Sequence, residues 1–336
     1  MKNIIKVSTV LVLAAMLVYA LGPKPTAFDG EFTPLKTSVS NVGLTEQDIQ
    51  QKEATMPIKP GNQSQFYWAD SVGKATEYVV LYLHGFSASP EEGAPIHTDF
   101  AKRYGCNMYV PLLSDHGLIS ADAMLNFTAE RYLQSAYDAL QVAKKMGKKV
   151  IVMATSTGCT AALFLASKTD DIDALICYSP NIRVFDPKSA LLAKPWGLQI
   201  SRMVLGGKYY TSQAPPDAQP YWDTKYRIES LIELQRLLEG TMNKSTFEKV
   251  QVPTFVGYYY KNEVEQDSVV SVEKIKEMYS QLGSKNKALQ AFPNAGKHAI
   301  CSGFFSKDIQ GVEAATYSFI EKIYGLVPKT TSELTD

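Results

Sequence analysis

The sequence predicts an α/β protein, a mostly parallel sheet of buried strands with helices on both faces. Three observations carry this reading. Continuous apolar runs of strand length recur at residues 78–83, 149–154, 174–179 and 252–259, as in strands covered on both sides. Stretches with apolar residues at helical spacing separate them. One run, Lys149-Val-Ile-Val-Met-Ala154, breaks through Thr-Ser156-Thr-Gly158 directly into an alanine-rich helical segment.

Taken in order, the chain begins with Lys2 and Lys6 ahead of an apolar run over residues 7–21. That layout, with Val18-Tyr-Ala20 as a small-residue cleavage site, predicts that residues 1–24 are a signal peptide or an uncleaved membrane anchor, and hence an exported, extracytoplasmic protein touching the membrane only through this segment. The run falls short of the roughly 20 residues of a typical span. Residues 25–64 are rich in Pro, Gly, Thr and Gln and read as a linker and irregular lead-in. A first strand is expected at residues 65–69, a second at 78–83, a helix over 95–104 closed by Gly105, and a strand over 107–113. Leu133, Ala136, Tyr137, Leu140 and Ala143 mark one face of a helix over 128–146. After the strands at 149–154 and 174–179 the alternation stops. Residues 180–249, rich in Tyr, Trp, Pro and Leu with one clear helix near 228–238, read as an insertion. The alternation resumes with the strand at 252–259, a helix carrying Val272, Ile275, Met278, Tyr279 and Leu282 on one face, a strand at 288–292 and a last helix over 312–324. The core is thus 65–179 with 250–327, and 328–336 is a polar tail.

Composition narrows the function. Apolar residues make up 45% and charged residues 20%, with 34 basic against 34 acidic side chains, so no basic stripe invites nucleic acid. The cysteines (Cys106, Cys159, Cys177, Cys301) are far apart and lie in apolar segments, which predicts buried free thiols and no zinc site.

A serine at a strand-to-helix break is held out at the strand's carboxyl end, where the helix amino terminus favours an oxyanion. Thr-Ser-Thr-Gly is also ordinary turn chemistry, so the assignment of Ser156 as a nucleophile rests on finding its partners. Four histidines compete for the role of base. His84 precedes a Gly-Phe turn and is expected to shape a loop, His97 lies in a helix as surface or packing, and His116 is placed to line a pocket. His298 follows the last strand, on the rim where loops at strand carboxyl ends converge, and is selected as the base. In the loop after the 252–259 strand, Asp267 directly precedes Ser-Val-Val and is selected as the acid over Glu263 and Glu265, which read as solvated charge. The backbone N–H groups of Phe86 and Thr157 are the expected oxyanion donors.

His-Gly-Phe after a strand, Thr-Ser-Thr-Gly at the elbow, Asp-Ser-Val-Val after a later strand and Lys-His-Ala-Ile after the last one resemble the α/β-hydrolases. The insertion resembles the cap of the branch that holds monoacylglycerol lipases, serine aminopeptidases and bacterial carboxylesterases. Residues 65–324 carry the likeness, and Ala154, where glycine is commoner, departs from it. The resemblance implies an eight-stranded, mostly parallel sheet with a helical cap, no metal or organic cofactor, and acyl transfer to water through an acyl-enzyme. Trp196 and Trp222 of the cap are then expected to line an apolar acyl pocket for a small-molecule substrate. An exopeptidase would need acidic residues in the cap, for which Asp217, Asp223, Glu229, Glu233 and Glu239 are available. A hydrolase-like binding protein without turnover is the third possibility.

Overall fold

A computed structural model describes residues 2–33 and 46–329. Seven strands form the main sheet: β1 (Gln65–Tyr67), β2 (Thr76–Leu83), β3 (Asn107–Val110), β4 (Gly147–Thr155), β5 (Ala174–Tyr178), β8 (Thr254–Tyr258) and β9 (Lys287–Ala291). Their spatial order is β1-β3-β2-β4-β5-β8-β9, with β1 antiparallel to β3 and every other pair parallel. Two further short strands, β6 (Tyr209–Thr211) and β7 (Lys225–Arg227), pair only with each other inside the insertion. The expected eighth strand is therefore absent from the main sheet among the described residues. Ahead of β1 the chain instead forms helix α2 (Glu46–Ala54), which buries Ile49, so part of the expected irregular lead-in is ordered. Strand β3 stops three residues short of the expected end because Pro111 has no N–H to give the ladder.

Both faces of the sheet are apolar, which is why its strands read as unbroken runs. Val79, Leu81 and Leu83 of β2 face one core with Val150 and Val152 of β4, and Val80 and Tyr82 face the other with Ile151 and Met153. The first face is covered by α4 (Ala129–Met146), α5 (Thr157–Ala166) and α9 (Val272–Gln281). The second is covered by α3 (Ile96–Tyr104) and α10 (Ile309–Tyr324). Thr128 caps α4 by accepting the Arg131 N–H at 3.2 Å, and left-handed Gly105 (φ 62°) closes α3. All four cysteines are buried free thiols.

The insertion contributes α6 (Gly197–Val204), α7 (Ile228–Thr241) and α8 (Lys244–Lys249). It is clamped to the core at one buried carboxylate. Asp223 pairs with Lys59 at 2.6 Å and accepts the Gly117 N–H at 3.3 Å, while its own N–H reaches the Ser87 carbonyl at 2.7 Å. Helix α1 (Lys2–Ala20) leads in, and the strand-free segment after it runs along the insertion: Trp196 N–H donates to Pro23 O, and Arg236 to Thr26 O. No helix among the described residues is long and apolar enough to cross a membrane. Residues 330–336 of the expected tail lie outside the described residues.

The packing of α5 on β2 permits no side chain at Gly158, where a Cβ would stand 2.0 Å from the Leu83 carbonyl oxygen. Backbone cannot yield as a flexible side chain can. Gly158→Ala is expected to lower stability by about 3 kcal/mol or more, read as the free energy of chemical denaturation.

Candidate active site

Strand β4 delivers Thr155 to the rim of the sheet, and the chain then reverses into α5 through a single residue. Ser156 sits at φ 54°, ψ −118°, a region that L-residues with a side chain rarely occupy. Three hydrogen bonds hold it there: its N–H donates to Tyr178 O at 2.9 Å, and its carbonyl accepts the Cys159 and Asn181 N–H groups at 3.0 Å each. The side chain is nearly buried, at 7% exposure. Ala154, the departure from the commoner glycine, is fully buried in register between Leu83 and Cys177.

His298 stands in the loop after β9 and Asp267 in the loop after β8. The structure brings them together: Nδ1 of His298 lies 2.6 Å from Oδ2 of Asp267. Asp267 is fully buried, and its other oxygen accepts the N–H groups of Val269 at 2.8 Å and Val270 at 3.1 Å. The two valines thus fix the carboxylate through their backbone. Its loop is also stitched to the chain leaving β5, where Phe185 N–H reaches Val269 O and Ser271 N–H reaches Arg183 O, both at 2.9 Å. Glu263 and Glu265 lie on the exposed part of that loop, with Tyr260 and Lys261 as partners. An ionised Asp267 makes Nδ1 the protonated nitrogen of His298, which leaves Nε2 as an acceptor. Nε2 is buried and has no hydrogen-bond partner among the described residues. Burial opposes a charge on this ring, but the Asp267 carboxylate, assisted by Glu92, outweighs it and holds the imidazole above its ordinary 6.5.

The turn after β2 faces the elbow. His84 accepts the Leu113 N–H on Nε2 at 3.1 Å and donates from Nδ1 to Gly85 O at 3.0 Å, so it is neutral and clips the turn to the chain after β3. A Cβ on Gly85 would meet Ser156 Cβ and Glu92 Oε1, each at 3.1 Å. Phe86 is anchored by its ring, edge-on to Phe127 at 5.2 Å and to Tyr226 of the insertion at 5.4 Å. Its N–H makes no hydrogen bond among the described residues. Thr157 is the first residue of α5, so its N–H has no partner within the helix.

The remaining candidates fall elsewhere. His116 is fully buried and packs edge-on against His84 and Phe86, at 5.0 and 6.0 Å, so it backs the turn from the core side. His97 is buried against Tyr82 at 4.8 Å, and loss of hydration pushes it down to about 4. Trp222 seals the seam between insertion and core, edge-on to Phe305 at 5.0 Å and Phe304 at 5.9 Å, on the loop that follows His298. Trp196 instead turns to the leading segment, donating its indole N–H to Val18 O at 3.1 Å. A cleft of about 560 Å³ lined by Arg183, Phe185, Tyr260 and Glu263 opens beside the Asp267 loop and holds neither Ser156 nor His298.

One residue of the site escaped the sequence reading. Glu92 is only 3% exposed and accepts the Gly85 N–H at 2.6 Å. The signal was present, an acid a few residues past His-Gly-Phe in Ser89-Pro-Glu-Glu92-Gly, but nothing in the spacing says which of two adjacent glutamates turns inward.

The backbone strain at Ser156 makes a prediction of its own. Glycine tolerates this conformation, so Ser156→Gly is expected to be more stable than the wild type by about 1–3 kcal/mol, measured by thermal or chemical unfolding. Ser156→Ala, which keeps the Cβ, is expected to show no such gain.

No family model matches the chain, and no curated protein matches it in sequence. Solved structures do. A metagenome-derived lipolytic enzyme superposes with a TM-score of 0.64 at 18% identity, over 79% of this chain and 99% of its own. A monoacylglycerol lipase from Paleococcus ferrophilus gives 0.57 at 14% identity, over 77% and 98%. A lipase-esterase related protein from Clostridium acetobutylicum gives 0.51 at 15% identity, over 77% and 100%. At such identities the likeness speaks for the arrangement of elements, and with the parallel sheet, the strained elbow and the inserted cap it shows that this chain has the α/β-hydrolase fold.

Proposed function

We propose that this protein is a serine hydrolase of carboxylic esters. Ser156 attacks the acyl carbon, His298 takes its proton on Nε2 and returns it to the leaving alcohol, and Asp267 orients His298 and balances its charge. The N–H groups of Phe86 and Thr157 receive the oxyanion, and water then resolves the acyl-enzyme by the same steps in reverse. The observation that carries this reading is the 2.6 Å His298–Asp267 hydrogen bond, which turns an unpartnered Nε2 into the acceptor the serine needs. Catalytic hydrogen bonds of this kind tighten when substrate binds.

Two further features favour an ester over a peptide amino terminus. The seam of the cap is aromatic, with Trp222 against Phe304 and Phe305, as suits an apolar acyl chain. Three of the five acidic side chains that an exopeptidase could use are paired within the protein: Asp223 with Lys59, Glu229 with Arg202 and Arg227, and Glu233 with Arg236. The lipolytic enzyme and the monoacylglycerol lipase of similar fold are in keeping with this choice. The basic residues followed by an apolar run at the amino terminus support an exported protein, held at or released from a membrane.

A fluorophosphonate probe is expected to label the wild type and not Ser156→Ala; equal labelling of the mutant rules out Ser156 as the nucleophile, and an unlabelled wild type points to a binding protein. On p-nitrophenyl butyrate, His298→Ala is expected to lose about 10³-fold or more in kcat, with aminoacyl p-nitroanilides left uncleaved by the wild type. Because His298 must be neutral to act as a base and is held above 6.5, kcat/KM should fall as pH drops through an apparent pKa above that value.

A further inference from the structure

We propose that Glu92 is a positioning residue of this site, one that holds the oxyanion turn through the Gly85 N–H and adds a second buried carboxylate to the charge around His298. The proposal rests on the ester-hydrolase reading above. Glu92 lies in the short helical turn Pro90–Gly93, whose following residues are stitched to the His298 loop by the Gly303 N–H to Ala94 O hydrogen bond at 2.8 Å. Its Oε2 accepts the Gly85 N–H at 2.6 Å and faces the Tyr82 hydroxyl at 3.4 Å. The Gly85 N–H belongs to the His84–Gly85 peptide, so the carboxylate fixes the peptide unit next to the one that carries the Phe86 N–H. Its Oε1 and the Ser156 Cβ flank the same side of Gly85, where any other residue would push them apart.

The second role is electrostatic. A carboxylate almost fully out of water is rare without a cationic partner, and among the described residues no lysine or arginine meets this one. The titratable groups that face it are Tyr82 from β2, Tyr132 from α4, and His298 and Cys301 from the loop after β9. Burial raises both tyrosines well above their ordinary value and pushes the Cys301 thiol up to about 12, so these stay neutral. His298 alone among them changes charge near neutrality, and the two groups act on each other: Glu92 favours the imidazolium, and the imidazolium favours ionised Glu92. Loss of hydration dominates at Glu92 and pushes it up to about 7, partly offset by the Gly85 N–H.

The sign follows for stability. A carboxylate whose folded value lies above its ordinary 4.5 binds protons more readily in the folded state, so its contribution to stability falls as pH rises from 4.5 to about 7. For activity, removing the Glu92 charge releases His298 to deprotonate at lower pH.

Two variants separate the roles. Glu92→Gln keeps an oxygen for the Gly85 N–H and removes the charge; its kcat/KM profile on p-nitrophenyl butyrate is expected to have an acid limb displaced to lower pH, with a smaller loss of plateau kcat than in Glu92→Ala. Its melting temperature relative to wild type should rise between pH 5 and pH 8. Glu92→Ala loses the acceptor as well, and is expected to drop kcat on the order of tenfold with little change in KM, less than the loss of a whole oxyanion donor. Where Glu92→Ala does not fold, the acid limb of Glu92→Gln decides. Variants whose pH limb and kcat superimpose on those of an active, probe-labelled wild type overturn the proposal and leave the ester-hydrolase reading intact. A wild type that neither labels nor turns over overturns both.

Discussion

Helix α5 approaches β2 so closely that a single methyl group at Gly158 would stand 2.0 Å from the Leu83 carbonyl oxygen and 2.8 Å from that of His84. That proximity is what compresses the strand-to-helix reversal into one residue and drives Ser156 to φ 54°. A residue in such a conformation costs on the order of 1–3 kcal/mol, and persists only where its surroundings over-determine it. Here the Tyr178 carbonyl and the Cys159 and Asn181 N–H groups do so. The same closeness sets the amino terminus of α5, and with it Ser156 and Thr157, against the His84-Gly85-Phe86 turn.

Around that contact the charges are arranged asymmetrically. Asp267 is buried but satisfied, with two backbone N–H groups on one oxygen and His298 on the other. Glu92 is buried with one backbone N–H and one distant hydroxyl. One carboxylate is therefore fully held by hydrogen bonds of the fold, while the other remains sensitive to the state of the imidazole. Both bear on His298, whose Nε2 has no hydrogen-bond partner among the described residues.

The cap is coupled to the same region. Its Asp223 reaches Ser87, one residue past Phe86, its Tyr226 packs on the Phe86 ring, and its Trp222 covers the loop that carries His298. Movement of the cap consequently bears on both the His84-Gly85-Phe86 turn and the His298 loop. The segment from Pro23 to Thr26, fastened to Trp196 and Arg236, adds a further tie between the leading chain and the cap.

The sequence by itself determined the seven strands of the main sheet, the helices between them and the place of the insertion, because strands covered on both faces must be continuously apolar and helices covered on one face must repeat every three to four residues. It also singled out His298 and Asp267, since the order of loops along an open parallel sheet dictates which of them meet at one rim. It misjudged the lead-in, where Ile49 is too little apolar signal to announce α2, and the strand count carried over from resemblance. Only the tertiary structure decided what depends on contacts between segments far apart in the chain. His116 backs Phe86 from the core, Trp196 serves the leading segment, and Glu92, one of two adjacent acids with identical local signals, turns inward because the Gly85 N–H is there to meet it. Burial of a polar group is settled by the partner it finds, and that partner cannot be read from the residue's own neighbours in sequence.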